Sequence, residues 1–144
     1  MKKILFLSTG DSCRSLMAKE LVNHIYRTKF VAESAAVDKV NVNDKLYEVM
    51  GEIGIDINDD KTYLPEDFEN EDFDYVITLC DESRENCPIY WTKGEAKYKH
   101  MEIADPRIGA TSDDELLKSF RETRDKLEEH LMSFFDKEIR NITF

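Results

Sequence analysis

An apolar run, Ile4-Leu5-Phe6-Leu7, passes straight into Ser8-Thr9-Gly10-Asp11-Ser12-Cys13-Arg14-Ser15, after which the chain turns helical. Four apolar residues in a row, closed by a Gly-containing turn, read as a strand covered on both faces of a sheet. From Ser12 the residues Ala18, Leu21, Val22 and Ile25 recur at helical spacing through about Arg27. Strand, short loop and helix in immediate succession leave few folds open. This junction is also where α/β proteins hold phosphate-like anions, because loop N–H groups and a helix N-terminus supply positive potential without net charge. Arg14, six positions after Ser8, adds a guanidinium fork that can clamp two oxygens of a tetrahedral anion. A Walker A loop is excluded, since no Gly-Lys-Ser/Thr ending is present. Local pattern alone also fits an ordinary turn with Ser12 as the helix cap.

The rest of the chain repeats the alternation. Phe30 to Ala35 is a short strand, and Asn43 to Ile53 a helix with Leu46, Val49, Met50 and Ile53 on one face and Gly54 as its stop. Phe73 to Leu79 is a strongly apolar strand, and Tyr98 to Ile103 a weaker one. Ser112-Asp113-Asp114-Glu115 resembles a capping box. It opens a helix to about Phe135, with Leu116, Phe120, Leu127, Leu131 and Phe134 as the buried stripe. The acid-rich stretch from Asp56 to Asp74 is expected to run along the surface. The order predicts one α/β domain over residues 1–144, a four-stranded parallel sheet with helices on both faces.

Composition narrows the function classes. At 144 residues and 41% hydrophobic, the chain can bury a substantial core. A net charge of −11 argues against nucleic-acid binding, and an anionic ligand needs a locally positive pocket against that background. The longest apolar runs are strand-sized, and Met1-Lys2-Lys3 precedes only four apolar residues. Neither a membrane span nor a signal peptide is expected, which makes the cytoplasm the default location.

Three cysteines, an odd number, do not form a disulfide scaffold. Cys80 ends the third strand and Cys87-Pro88 comes after six intervening residues, without the paired spacing zinc requires. The two are either incidental thiols or a dithiol, on a loop whose residues 81–86 are polar throughout. His24, His100 and His130 are scattered and have no ligand spacing, so no metal or cofactor is expected.

Ser8 followed by Thr-Gly-Asp-Ser-Cys-Arg-Ser resembles the Cys-x5-Arg loop of low-molecular-weight tyrosine phosphatases, and more closely that of the thioredoxin-coupled arsenate reductases on the same fold. The resemblance extends through Glu33-Ser34-Ala35, Ile55-Asp56-Ile57, Val76 to Cys80, Cys87-Pro88 and Ala104-Asp105-Pro106. It implies an oxyanion loop from Ser8 through Thr9, Gly10, Asp11, Ser12 and Cys13 to Arg14, binding arsenate, with phosphate or sulfate as mimics. It further implies a relay: the loop cysteine attacks arsenate, Cys80 attacks that cysteine and releases arsenite, and Cys87 takes over Cys80. Thioredoxin then reduces the Cys80–Cys87 disulfide. The phosphatase alternative gives no use to two extra thiols, whereas reducing arsenate, the chemistry of arsenical resistance, needs two electrons.

The same resemblance makes Asp105 the general acid that protonates the leaving oxygen, although Asp-Pro also fits a plain turn. It makes Ser15 the hydroxyl that bonds the nucleophilic thiolate, or else a helix cap. Cys13 is expected to pack under the loop. Many of these reductases hold potassium through an Asn, a Glu and a Ser; the matching residues are Asp11, Lys19 and Ser34, so Lys19 paired with Asp11 is expected to replace the ion.

The departure is at the first position, where the family has its nucleophilic cysteine and this chain has Ser8. A hydroxyl is far less acidic than a thiol, and no base near it in sequence would activate it. The chain as written is therefore expected to bind oxyanions without reducing arsenate. An engineered Cys-to-Ser substitution and a naturally silent oxyanion-binding or regulatory module both account for this; retention of the dithiol, Arg14 and Asp105 favours the first.

Overall fold

The computed structural model describes residues 1–9, 13–37, 42–58, 61–81 and 96–142. Its strands are β1 (Lys2–Ser8), β2 (Phe30–Ala36), β3 (Tyr75–Cys80) and β4 (Lys97–Glu102), and its α-helices α1 (Cys13–Ile25), α2 (Asp44–Gly51) and α3 (Asp113–Asn141). A single 3-10 turn among the described residues spans Pro65–Phe68. The sheet is parallel throughout, in the order β2-β1-β3-β4. The strand order reverses at β1, which pairs with β2 on one side and β3 on the other, so β1 and β3 flank a topological switch point. In open α/β sheets ligands bind there, beyond the carboxyl ends of the strands.

Pleating sorts the strand residues into two cores. Ile4, Phe6, Tyr75, Ile77, Leu79 and Met101 pack with all three α-helices. Leu5, Leu7, Ala35 and Val76 pack on the opposite face with Phe68 and Phe73. The Asp56 to Asp74 stretch is thus more than a solvated run. Its acids are mostly exposed, but Phe68 and Phe73 are 6% and 3% exposed and close the second face. Alternation of acids with isolated aromatics hid this contribution. Pro65 pre-sets the turn, and the Asp67 carboxylate accepts the Leu64 N–H at 2.8 Å.

Several helix boundaries and faces differ from expectation. Ile25 and Ile53 are 37% and 36% exposed, Ile53 lying beyond α2, which is capped by Asn43 and followed by Gly54 at φ 78°. α3 continues six residues past Phe135 to Asn141. On it Phe135 is fully buried, whereas Phe134 and Leu116 are half-buried, because Phe135 enters a cluster with Phe30, Tyr26 and Tyr75. Ser112 caps α3 by accepting the Glu115 N–H at 3.2 Å, but Glu115 reaches back one residue further than a capping box requires, to the N–H and hydroxyl of Thr111.

α3 is tied to α2 by charge. Glu52 accepts from Arg121 at 2.9 and 2.6 Å and from the buried Arg124 at 2.6 Å. The Arg121 hydrogen bond first, and that of Arg124 next, hold its carboxyl at about 2. The folded value lies below the unfolded one, so the stabilisation is complete above the ordinary carboxylate range and is lost as pH falls toward 2. Glu52→Gln is therefore expected to lower the urea midpoint at pH 7, with the gap to the parent narrowing below about pH 4.5. A gap that stays constant down to acid pH would assign the contribution to packing instead of charge.

Candidate functional site

Ser8 is the last residue of β1 and Cys80 the last of β3, at the carboxyl ends of adjacent central strands. The register runs from Ile4 opposite Tyr75 to Leu7 opposite Thr78, which puts Cys80 one position beyond the neighbour of Ser8. From strand spacing and rise, their Cα atoms lie about 6 Å apart. Pleating turns the two side chains to opposite faces, however. Ser8 follows Ile4 and Phe6 toward the helices, and Cys80 follows Val76 toward the second core.

On the helix side, Ser8 and Arg14 are both fully buried, and Ser15 is 1% exposed. The Ser8 hydroxyl donates to Ser15 Oγ at 3.0 Å. Ser15 sits inside the first turn of α1, whose first residue here is Cys13. Arg14 Nη1 donates to the Ile103 carbonyl at 3.0 Å, which anchors one arm of the guanidinium just beyond the end of β4. An arginine is tolerated at full burial where its planar fork finds hydrogen-bond acceptors such as the Ile103 carbonyl. Thr9, 6% exposed, follows Ser8, and the Ser8 carbonyl accepts the Val37 N–H at 3.0 Å. Gly10, Asp11 and Ser12 lie outside the described residues.

Cys13, the first residue of α1, is buried and in no disulfide; its expected place under the loop involves residues outside the described ones. Cys80 is fully buried and disulfide-bonded. Its expected partner, Cys87, lies outside the described residues.

Asp105 is held beyond β4. Its Oδ1 accepts the Arg107 N–H at 2.9 Å and Nε at 3.1 Å, and its Oδ2 accepts Nη2 at 2.7 Å. The Pro106 carbonyl accepts the Ser119 hydroxyl of α3 at 2.6 Å. This loop is thus pinned to α1 through Arg14 and to α3 through Ser119. Sequence reading missed Arg107 and Ser119. Arg107 had a local signal, a cation two residues after an Asp at an Asp-Pro turn, whereas Ser119 needed the tertiary structure to bring α3 beside the loop.

Lys19 and Ser34 are 9% and 6% exposed, and Ser34 lines a small recess with Ser15, Thr62 and Tyr63; pairing of Lys19 with Asp11 falls outside the described residues. His24 and His130 are exposed, and His100 bridges Thr78 and Glu102 at 2.8 and 2.6 Å. Among the described residues no three His, Cys, Asp or Glu side chains converge on a metal position. No described helix is long and apolar enough to cross a membrane. A cleft of about 450 Å³ between β4 and α3, with Lys99, His130 and Phe134 among its walls, contains none of the residues expected to act.

The low molecular weight phosphotyrosine protein phosphatase family matches residues 3–142. An arsenate reductase of Shouchella clausii is 31% identical over 92% of this chain and 94% of its own length. Arsenate reductase 2 of Staphylococcus saprophyticus is 32% identical over 94% and 97%. A solved arsenate reductase in its phosphate-binding state superposes with a TM-score of 0.77 at 29% identity, over 95% of this chain and 98% of that one. The match over residues 3–142 and the shared fold make this chain a member of the low-molecular-weight phosphotyrosine phosphatase family, with arsenate reductases among its relatives there.

Proposed function

We propose that this chain is built for arsenate reduction by a cysteine relay regenerated by thioredoxin, and that Ser8 halts it at oxyanion binding. The observation that carries this reading is the second sulfur. Cys80 ends the strand next to Ser8 and is already in a disulfide. A phosphoester hydrolase needs one nucleophile and no further thiol. Arsenate reduction needs two electrons, which a thiol pair supplies as it becomes a disulfide. In this reading Arg14 and the loop from Ser8 to Arg14 hold the anion's oxygens, and Asp105 serves the leaving oxygen. Thiols that must be reduced between turnovers suit the cytoplasm.

With serine at position 8 no arsenic–sulfur bond forms. Arsenate, phosphate and sulfate are bound and released unchanged. The catalytically silent module remains the second reading, favoured by Ser8 alone.

The dithiol can be tested in the chain as it stands. Cys80 and Cys87 are expected to pair intramolecularly under diamide, and thioredoxin is expected to reduce the bond. Closing so short a loop costs on the order of 2–3 kcal/mol in chain entropy. Peptide mass spectrometry decides the pairing. A Cys13–Cys80 crosslink, or free Cys80 and Cys87 after oxidation, ends the relay reading.

A further inference from the structure

The cleft of about 450 Å³ between β4 and α3 is built from two periodicities. Lys97, Lys99 and Met101 alternate onto the face of β4 that meets α3, while His130, Ser133, Phe134 and Lys137 recur on one face of α3. Met101, 4% exposed, and Phe134 make its apolar surface. Around them Ser133, His130 and the lysine ammonium groups can donate hydrogen bonds.

The charges of the cleft do not cancel. Glu138 is taken up by Lys97 at 2.8 Å and by the Tyr75 hydroxyl at 3.1 Å, and Glu102 bonds His100 at 2.6 Å. Lys99 and Lys137, one on each wall, have no ion-pair partner among the described residues. The ammonium groups of Lys97 and Lys99 stand 5.7 and 5.9 Å from the Phe134 ring centroid, which draws cations toward this apolar surface. A chain of net charge −11 thus sets two uncompensated lysines beside one apolar recess.

We infer that this cleft binds a small organic anion, its acid group on Lys99 and Lys137 and its apolar or aromatic body against Phe134 and Met101. The volume suits a ligand of about two fused rings. A large acidic partner would meet the repulsion of the whole chain. A small anion responds mainly to charges within a Debye length, about 8–10 Å, where these lysines dominate. The cleft shares no residue with the loop from Ser8 to Arg14, so its occupancy does not depend on whether the chain reduces arsenate.

The test is an amide NMR titration of the full chain with naphthoate. Saturable shifts are expected in residues 97–102 and 130–138. Lys99→Ala and Lys137→Ala are each expected to weaken binding about three- to fivefold, and the double variant about tenfold or more. Both lysines are exposed, so these variants are expected to keep the fold. Naphthalenemethanol, with the same rings and no charge, is expected to bind at least about tenfold more weakly. The proposal is overturned if no saturable shift appears, or if the shifts gather only around Ser8 to Ser15. Equal binding of the uncharged rings, or unchanged affinity in the double variant, overturns it as well. Tighter binding of a polyglutamate peptide at the same residues would give the cleft to an acidic protein segment and overturn the small-molecule assignment.

Discussion

Replacing Ser8 by Cys is expected to turn a chain with essentially no arsenate turnover into a thioredoxin-dependent reductase, a gain of at least about 10³-fold. On the proposed reading, position 8 suits a sulfur. Residue 8 is fixed by β1, fully buried, and within 3.0 Å of Ser15 Oγ. In the present chain Ser8 donates that hydrogen bond. A thiolate reverses it, so the Ser15 hydroxyl becomes the donor and, with the start of α1 and the Arg14 guanidinium, stabilises the charged nucleophile. The thiolate then forms a bond to arsenic with loss of water. Attack by the Cys80 thiolate on sulfur 8 breaks that bond, and arsenite leaves with the electron pair. Cys87 attacks Cys80, and thioredoxin supplies the two electrons that restore the pair. The pleat imposes one geometric demand. Cys80 points to the face opposite residue 8 in this disulfide-bonded state, so the end of β3 has to turn over for the second step. NADPH consumption in the presence of arsenate, thioredoxin and its reductase measures the gain. A Ser8→Cys protein that ignores arsenate but hydrolyses an aryl phosphate briskly would move the chain to the phosphatase reading.

The parts of this site legible in the sequence are those encoded by contiguous pattern. The run Ile4 to Leu7, the Gly-containing turn and the helical spacing after it pointed to a strand–loop–helix junction between β1 and α1. The parallel order of four strands followed from the alternation of apolar runs with amphipathic ones. What stayed hidden is set by packing between distant segments. Nothing local distinguishes Phe134 from Phe135; packing against Tyr26 and Phe30 selects the latter for full burial. The second core of Phe68 and Phe73 is masked by acids that periodicity reads as solvent-facing. Arg107 was overlooked for a related reason: one more charge in a chain 35% charged has no prominence until the fold buries the carboxylate beside it.

Removal of the Arg14 guanidinium carries the second large effect, and it separates an oxyanion site from a mere turn. Arg14 is the largest fully buried side chain among the described residues, and one of its N–H groups serves the Ile103 carbonyl at 3.0 Å. Arg14 is a fully buried cation at the first turn of α1, the position where the proposed reading seats the anion. Two charge-assisted bonds to phosphate contribute about 3 kcal/mol in all, so Arg14→Ala is expected to weaken phosphate binding on the order of 100-fold. The alanine variant also leaves a cavity and an unpaired Ile103 carbonyl, with a stability cost of about 2–4 kcal/mol. Arg14→Lys keeps the charge but presents a single ammonium, which cannot serve the carbonyl and two anion oxygens in one plane. It is expected to fold with less loss and to bind phosphate roughly tenfold more weakly than the parent. Calorimetric titration of the parent and both variants with phosphate reads the difference directly. Unchanged affinity in either folded variant would show that the loop from Ser8 to Arg14 is not where the anion sits, and the relay built upon it would have no substrate.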